Sequence, residues 1–80
     1  MRARQLGKDG ITVNCVAPGN IDTEMTAAAG EGVIDWVLGT TPIGRLGMAE
    51  EVGAAVKYLI ESPFTTGIVI PVDGGQILNI

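Results

Sequence analysis

The residues best placed to do chemistry lie in one run, Val13-Asn14-Cys15-Val16-Ala17-Pro18-Gly19-Asn20-Ile21-Asp22-Thr23. Its first half is rich in β-branched residues and follows a glycine turn, so it reads as a strand. Pro18 and Gly19 then turn the chain sharply. Open α/β sheets bind ligands in the crevice beyond the C-terminal ends of their parallel strands. There, Gly19 would let the backbone approach a flat ring. A free backbone N–H further on, with the Thr23 hydroxyl, could pair with a carboxamide. The same residues also read as an ordinary strand exit, with Thr23 capping a short helix over Met25–Ala29.

Elsewhere the chemistry is thin. The chain has no histidine and one cysteine. That excludes Ser-His-Asp and Cys-His catalysis, an internal disulfide and a clustered zinc ligand set. No catalytic or metal residue is assigned. Cys15, inside the apolar run, reads as a small buried hydrophobe, and Asp22 and Glu24 as solvated charge. Gly39 to Gly44 has the glycine spacing of a P-loop, but Arg45 and Leu46 stand where Lys and the magnesium-binding hydroxyl belong. Gly30-Glu31-Gly32 begins a G-x-G-x-x-G, yet Asp35 occupies its third glycine position.

Composition bounds the rest. Of 80 residues 46 % are hydrophobic, and nine acidic residues against five basic ones leave a net charge of −4. Mean hydropathy is +0.36. This excludes disorder, and it argues against nucleic-acid binding because no basic stripe meets phosphates. No apolar run reaches the roughly 18 residues of a membrane span. No leader is visible at Met1, and a single cysteine fits a reducing, cytoplasmic setting. A chain this short buries only about 60 % of its surface. An apolar one without a staple is therefore expected to self-associate or to be completed by a missing N-terminal part.

The elements that would position the loop follow from periodicity. Met1–Leu6 reads as the tail of a longer helix, with Gly7 as a left-handed cap and Lys8-Asp9-Gly10 as a turn. Ile11–Val16 reads as a strand. From Ile21 to Gly47 the chain reads as loop with short helical pieces at Met25–Ala29 and Val33–Leu38, broken by Gly30, Gly32 and Gly39. Ala49–Glu61 is an amphipathic helix, with Val52, Ala55, Val56, Leu59 and Ile60 forming one stripe and Glu50 and Glu51 at its positive end. Ile68–Val72 reads as a second strand, with Pro71 demanding an edge or a strand end. Asp73-Gly74-Gly75 is a tight turn before a short apolar tail. The order is βαβ, an α/β unit with a right-handed crossover.

Three motifs carry a resemblance. They are Gly10-Ile11-Thr12-Val13-Asn14 leading to Pro18-Gly19-x-Ile21-x-Thr23, then Pro42 to Gly47 followed by Glu50-Glu51-Val52, then Thr66-Gly67 leading to Val72-Asp73-Gly74-Gly75. In this order and spacing the chain resembles the C-terminal third of the short-chain dehydrogenase/reductase family, of the 3-oxoacyl-acyl carrier protein reductase and glucose dehydrogenase type. The resemblance implies a portion of a doubly wound, Rossmann-type parallel α/β sheet, and oxidoreduction of a small carbonyl/alcohol pair with NAD or NADP. It implies that Pro18, Gly19, Ile21 and Thr23 hold the nicotinamide half, Ile21 through its backbone. Met25–Ile43, within the 21–47 segment, would be the mobile substrate lid, and Ala49–Glu61 with the last strand an oligomer surface. Asn14 and Arg45 match recurrent structural positions. The family's catalytic Tyr-x-x-x-Lys is not matched, because the only tyrosine, Tyr58, is followed four residues later by Ser62. The alternatives are a non-catalytic assembly module or a truncation product without function. The Ser/Thr-Pro start usual for the helix is replaced by Met48-Ala49, so a side-chain cap is expected to be lost.

Overall fold

Val13 and Asn14 join the second strand region before the ladder begins, through one backbone bond, Gly67 N–H to the Val13 carbonyl at 2.9 Å, and through side chains. In the computed structural model, which describes residues 1–77, the Val13 N–H donates to Thr66 Oγ1 at 3.0 Å. The Asn14 amide spans the gap, donating to the Thr65 carbonyl at 3.1 Å and accepting the Ile68 N–H at 3.2 Å. The ladder proper pairs β1 (Cys15–Pro18) with β2 (Val69–Val72) in parallel, with Cys15 opposite Val69 and Pro18 opposite Val72. The strand expected over Ile11–Val16 is thus shorter and shifted towards Pro18, because a residue counts as strand only where a partner backbone lies opposite. Expected residue 68 likewise precedes β2.

Both prolines fit this register. The Cys15 N–H bonds the Ile68 carbonyl and the Gly19 N–H bonds the Val72 carbonyl, each at 2.9 Å. Along a strand the bonding direction alternates, so every second residue turns its backbone nitrogen to the outer edge. Pro18 and Pro71 occupy such positions, where a missing donor costs the ladder nothing.

Between the strands in sequence lie three helices, α2 (Glu24–Ala28), α3 (Glu31–Thr40) and α4 (Ala49–Ile60), after an N-terminal turn of helix α1 (Ala3–Leu6). Helix α1 does not stop at Gly7, which is right-handed, but tightens into a 3-10 turn over Gly7–Asp9. The left-handed residue is Gly10 instead, at φ 75°. Helix α3 runs through both Gly32 and Gly39, where a break was expected. Each glycine costs a helix about 1 kcal/mol. Burial of Val37, 3 % exposed, offsets this, as do the Thr40 and Thr41 hydroxyls bonded to the carbonyls of Trp36 and Val37.

Helix α4 crosses from β1 to β2 and packs on both strands. Val52, Ala55 and Leu59 of the expected stripe are half-buried, whereas Val56 and Ile60 are exposed. Its first turn has no side-chain cap from Met48. Glu51 compensates by accepting the Met48 N–H at 3.0 Å. Buried residues are few: among those described, Val37 and Thr41 alone. The accessible surface is 5949 Å², against about 4,600 Å² for a compact monomer of this mass. The radius of gyration is 15.4 Å, against about 12 Å expected. Part of the expected apolar tail, residues 78–80, lies outside the described residues.

Candidate functional site

The loop after β1 is held from two sides. Gly19 lies so close to the turn after β2 that a Cβ on it would meet Cα and Cβ of Asp73, both at 2.7 Å. The glycine is therefore required by close packing on Asp73. The sequence suggested a ring ligand for this closeness; the neighbour observed is the next strand's end. On the other side Ile21 bridges Gly47 in parallel, through Gly47 N–H to the Asn20 carbonyl at 3.0 Å and Asp22 N–H to the Gly47 carbonyl at 2.8 Å.

This bridge orients Ile21. The flanking groups of Asn20 and Asp22 face Gly47, so the N–H and C=O of Ile21 point to the opposite edge. There the carbonyl accepts the Thr26 hydroxyl at 2.6 Å. No hydrogen bond of the Ile21 N–H is present among the described residues. Thr23 Oγ1 accepts the Thr26 N–H at 3.3 Å and lies 3.2 Å from Thr26 Oγ1. Thr23 therefore serves as the N-cap of α2, and its hydroxyl stands two residues beyond the open N–H. Pro18, the last residue of β1, and Gly19, Ile21 and Thr23 of the loop that follows thus lie together at the C-terminal end of the strand. Thr26 went unnoticed in the sequence, since a threonine inside a short helix carries no signal of a backbone partner five residues back.

A small cavity of about 50 Å³ lies between this loop, the residues after α3 and the turn after β2; Asn20, Thr41, Arg45 and Asp73 are among its lining. It has room for a water or two and not for an aromatic ring. Arg45 and Glu51 close one side with a bidentate pair, 2.7 and 2.9 Å. The Arg45 bonds, and then the Met48 N–H, hold the Glu51 carboxyl at about 2, below its ordinary value. Glu51 is thereby depressed in the folded state. Its contribution to stability is complete above the usual carboxylate range and is lost as pH falls through about 2. Melting temperatures of the wild type and Glu51→Gln should therefore differ at neutral pH and converge towards pH 2. A constant offset across that range would contradict the pairing. The pair is exposed, so a small difference is expected.

Cys15, expected to be buried, is exposed. Both faces of a two-stranded sheet cannot be covered by one helix. Among the described residues no cluster of His, Cys, Asp or Glu could hold a metal ion, and no helix is long and apolar enough to cross a membrane.

The family model described as Enoyl-(Acyl carrier protein) reductase matches residues 1–76. The 3-oxoacyl-[acyl-carrier-protein] reductase FabG of Pseudomonas aeruginosa is 44 % identical over 79 residues, covering 96 % of this chain and 32 % of that protein. Among solved structures, the 3-oxoacyl-[acyl-carrier protein] reductase of Brucella melitensis superposes with a TM-score of 0.90 at 38 % identity, over 96 % of this chain and 30 % of its own. YwfH, described as an NADPH dependent reductase of bacilysin biosynthesis, gives 0.87 at 33 % identity, over 98 % of this chain and 34 % of its own. The chain spans about a third of the length of these relatives. The parallel βαβ unit is accordingly a portion of a Rossmann-type α/β sheet, and the chain belongs to the short-chain dehydrogenase/reductase family.

Proposed function

We propose that this chain is the C-terminal portion of an NAD(P)-dependent oxidoreductase that interconverts a carbonyl and an alcohol. It contributes the nicotinamide-side loop, the substrate lid and an oligomer surface. The observation that carries this reading is the open Ile21 N–H, at the end of a parallel strand and on the edge facing away from Gly47. An unpaired backbone donor is costly to bury and is suited to a ligand carbonyl. The residues fit the group: a carboxamide accepts from Ile21 N–H, while the Thr23 hydroxyl, already braced by α2, offers a second polar contact. The bound nicotinamide supplies the hydride. This chain's residues only seat it: Pro18 and Gly19 aim the loop, the bridge to Gly47 orients Ile21, and Thr26 occupies the neighbouring carbonyl.

Residues 25–43 act as the lid. They hold α2 and α3 and expose Met25 and Trp36, 85 % and 62 % accessible, as apolar surface for a substrate. Titration of the chain with NADPH or NADH, followed by amide chemical shifts, should move Ile21 and Thr23 before the amides of α4. Shifts scattered over α4 with none in the loop would refute the assignment.

A second reading, a non-catalytic assembly module, is favoured by a different observation. Val56, Ile60 and Phe64 are 42, 78 and 103 % exposed, and apolar patches of this kind mark interaction surfaces. The oligomer surface of the first reading, Ala49–Glu61 with the last strand, includes Val56 and Ile60. The two separate in the titration, since only the first requires the loop to respond.

A further inference from the structure

The turn that follows β2 touches both halves of the proposed site. On the loop side, Gly19 packs on Asp73 with no space for a side chain, and Asn20 Nδ2 donates to Gln76 Oε1 at 2.8 Å. On the lid side, the Ile43 N–H donates to the Gly74 carbonyl at 3.1 Å. A Cβ on Gly74 would stand 2.8 Å from the Thr41 methyl, and Gly74 has φ +63°, a conformation that L side chains rarely adopt. The Asp73 carboxylate braces the turn from within, accepting the Gly75 N–H at 3.0 Å and the Ile77 N–H at 3.2 Å. Both its oxygens are engaged inside the turn. Some 20 residues separate Asn20 from Thr41 in sequence, yet both close on this four-residue piece.

We propose that the Asp73–Gln76 turn is a coupling clamp. Asp73, Gly74 and Gln76 are positioning residues that tie the Pro18–Thr23 loop to the root of the lid at Thr41–Ile43, so that a ligand ordering the loop also orders the lid. The consequence for ligand binding rests on the reading of 25–43 as a lid; the mechanical link does not. Coupling of this kind is reciprocal, so a disturbance on either side must be felt on the other.

Amide hydrogen exchange on the whole chain, read by NMR, tests it. Thr41→Ser deletes the methyl beside Gly74 while keeping the hydroxyl that donates to the Val37 carbonyl. Gln76→Ala and Asn20→Ala each remove the loop-side bond. Thr41→Ser should accelerate exchange at the Gly19 N–H, and the other two variants at the Ile43 N–H, by about fivefold, the low end of ordinary coupling between sites. The Cys15 N–H, bonded to Ile68 at the far end of the ladder, should not change. Acceleration confined to the side that was mutated overturns the clamp. So does equal acceleration at Cys15, which marks general loosening. With three variants attacking from two sides, loss of the fold in one leaves two that decide. The experiment uses no ligand, so its failure leaves the lid reading standing. Failure of the NADPH titration removes the nicotinamide reading of the loop without touching the clamp.

Discussion

Incubated with NADH or NADPH and a small ketone or aldehyde, the eighty residues by themselves are expected to consume cofactor no faster than buffer does. The reason lies in proton handling. The family to which the chain belongs performs that step with a Tyr-x-x-x-Lys pair, and a general acid–base contributes about 10²- to 10⁴-fold to a rate. Tyr58 is the only tyrosine, and Ser62 stands where the lysine belongs. Tyr58 lies on α4 and is 55 % exposed. Seating a nicotinamide without a proton donor positions a hydride that has no route to an alcohol. Absorbance at the reduced-cofactor band, followed with excess carbonyl, measures this. Turnover above buffer that disappeared in Thr23→Ala would show that the chain supplies its own acid and would overturn the division of labour proposed here.

Gly19→Ala is expected to give the largest loss of stability of any single methyl added to the chain. The new carbon would meet two atoms of Asp73 at 2.7 Å, one of them backbone. Rotation of a flexible side chain cannot relieve a backbone contact. The neighbouring bond from Gly19 N–H to the Val72 carbonyl, 2.9 Å, keeps the two strand ends from parting. Overpacking of this sort costs about 1–3 kcal/mol. In a protein of this size each kcal/mol shifts the midpoint by roughly 4–8 °C. Circular dichroism melting checks it, and an unchanged midpoint would mean that the strand ends are not packed as described.

Several features of the site were legible before any coordinates. The β-branched run before Pro18, the amphipathic stripe of α4 and the Asp-Gly-Gly turn each follow from local rules, because spacing and turn chemistry are properties of neighbouring residues. Thr23 as a cap was legible for the same reason. Arg45 with Glu51 was not. Their pairing depends on how the chain enters α4, and a spacing of six matches neither helical neighbours nor strand partners. Gly19 was recognised as a residue needed for close approach, but what approaches it comes from a segment more than fifty residues later. The helix through Gly32 and Gly39 was missed because propensity speaks for each residue alone, whereas Val37 and the two threonines stabilise the helix collectively.

By itself, then, the order of residues determined the βαβ plan, the family and the loop in which to look for a ligand. Tertiary structure alone decided where β1 begins, why glycine is required at 19, which edge the Ile21 N–H faces, and that one turn touches both the loop and the residues after α3. The physical reason is common to all four. Each depends on which distant segment lies within hydrogen-bonding or van der Waals reach, β1 against β2, Ile21 against Gly47 and Gly74 against Thr41, and no local pattern encodes those pairings.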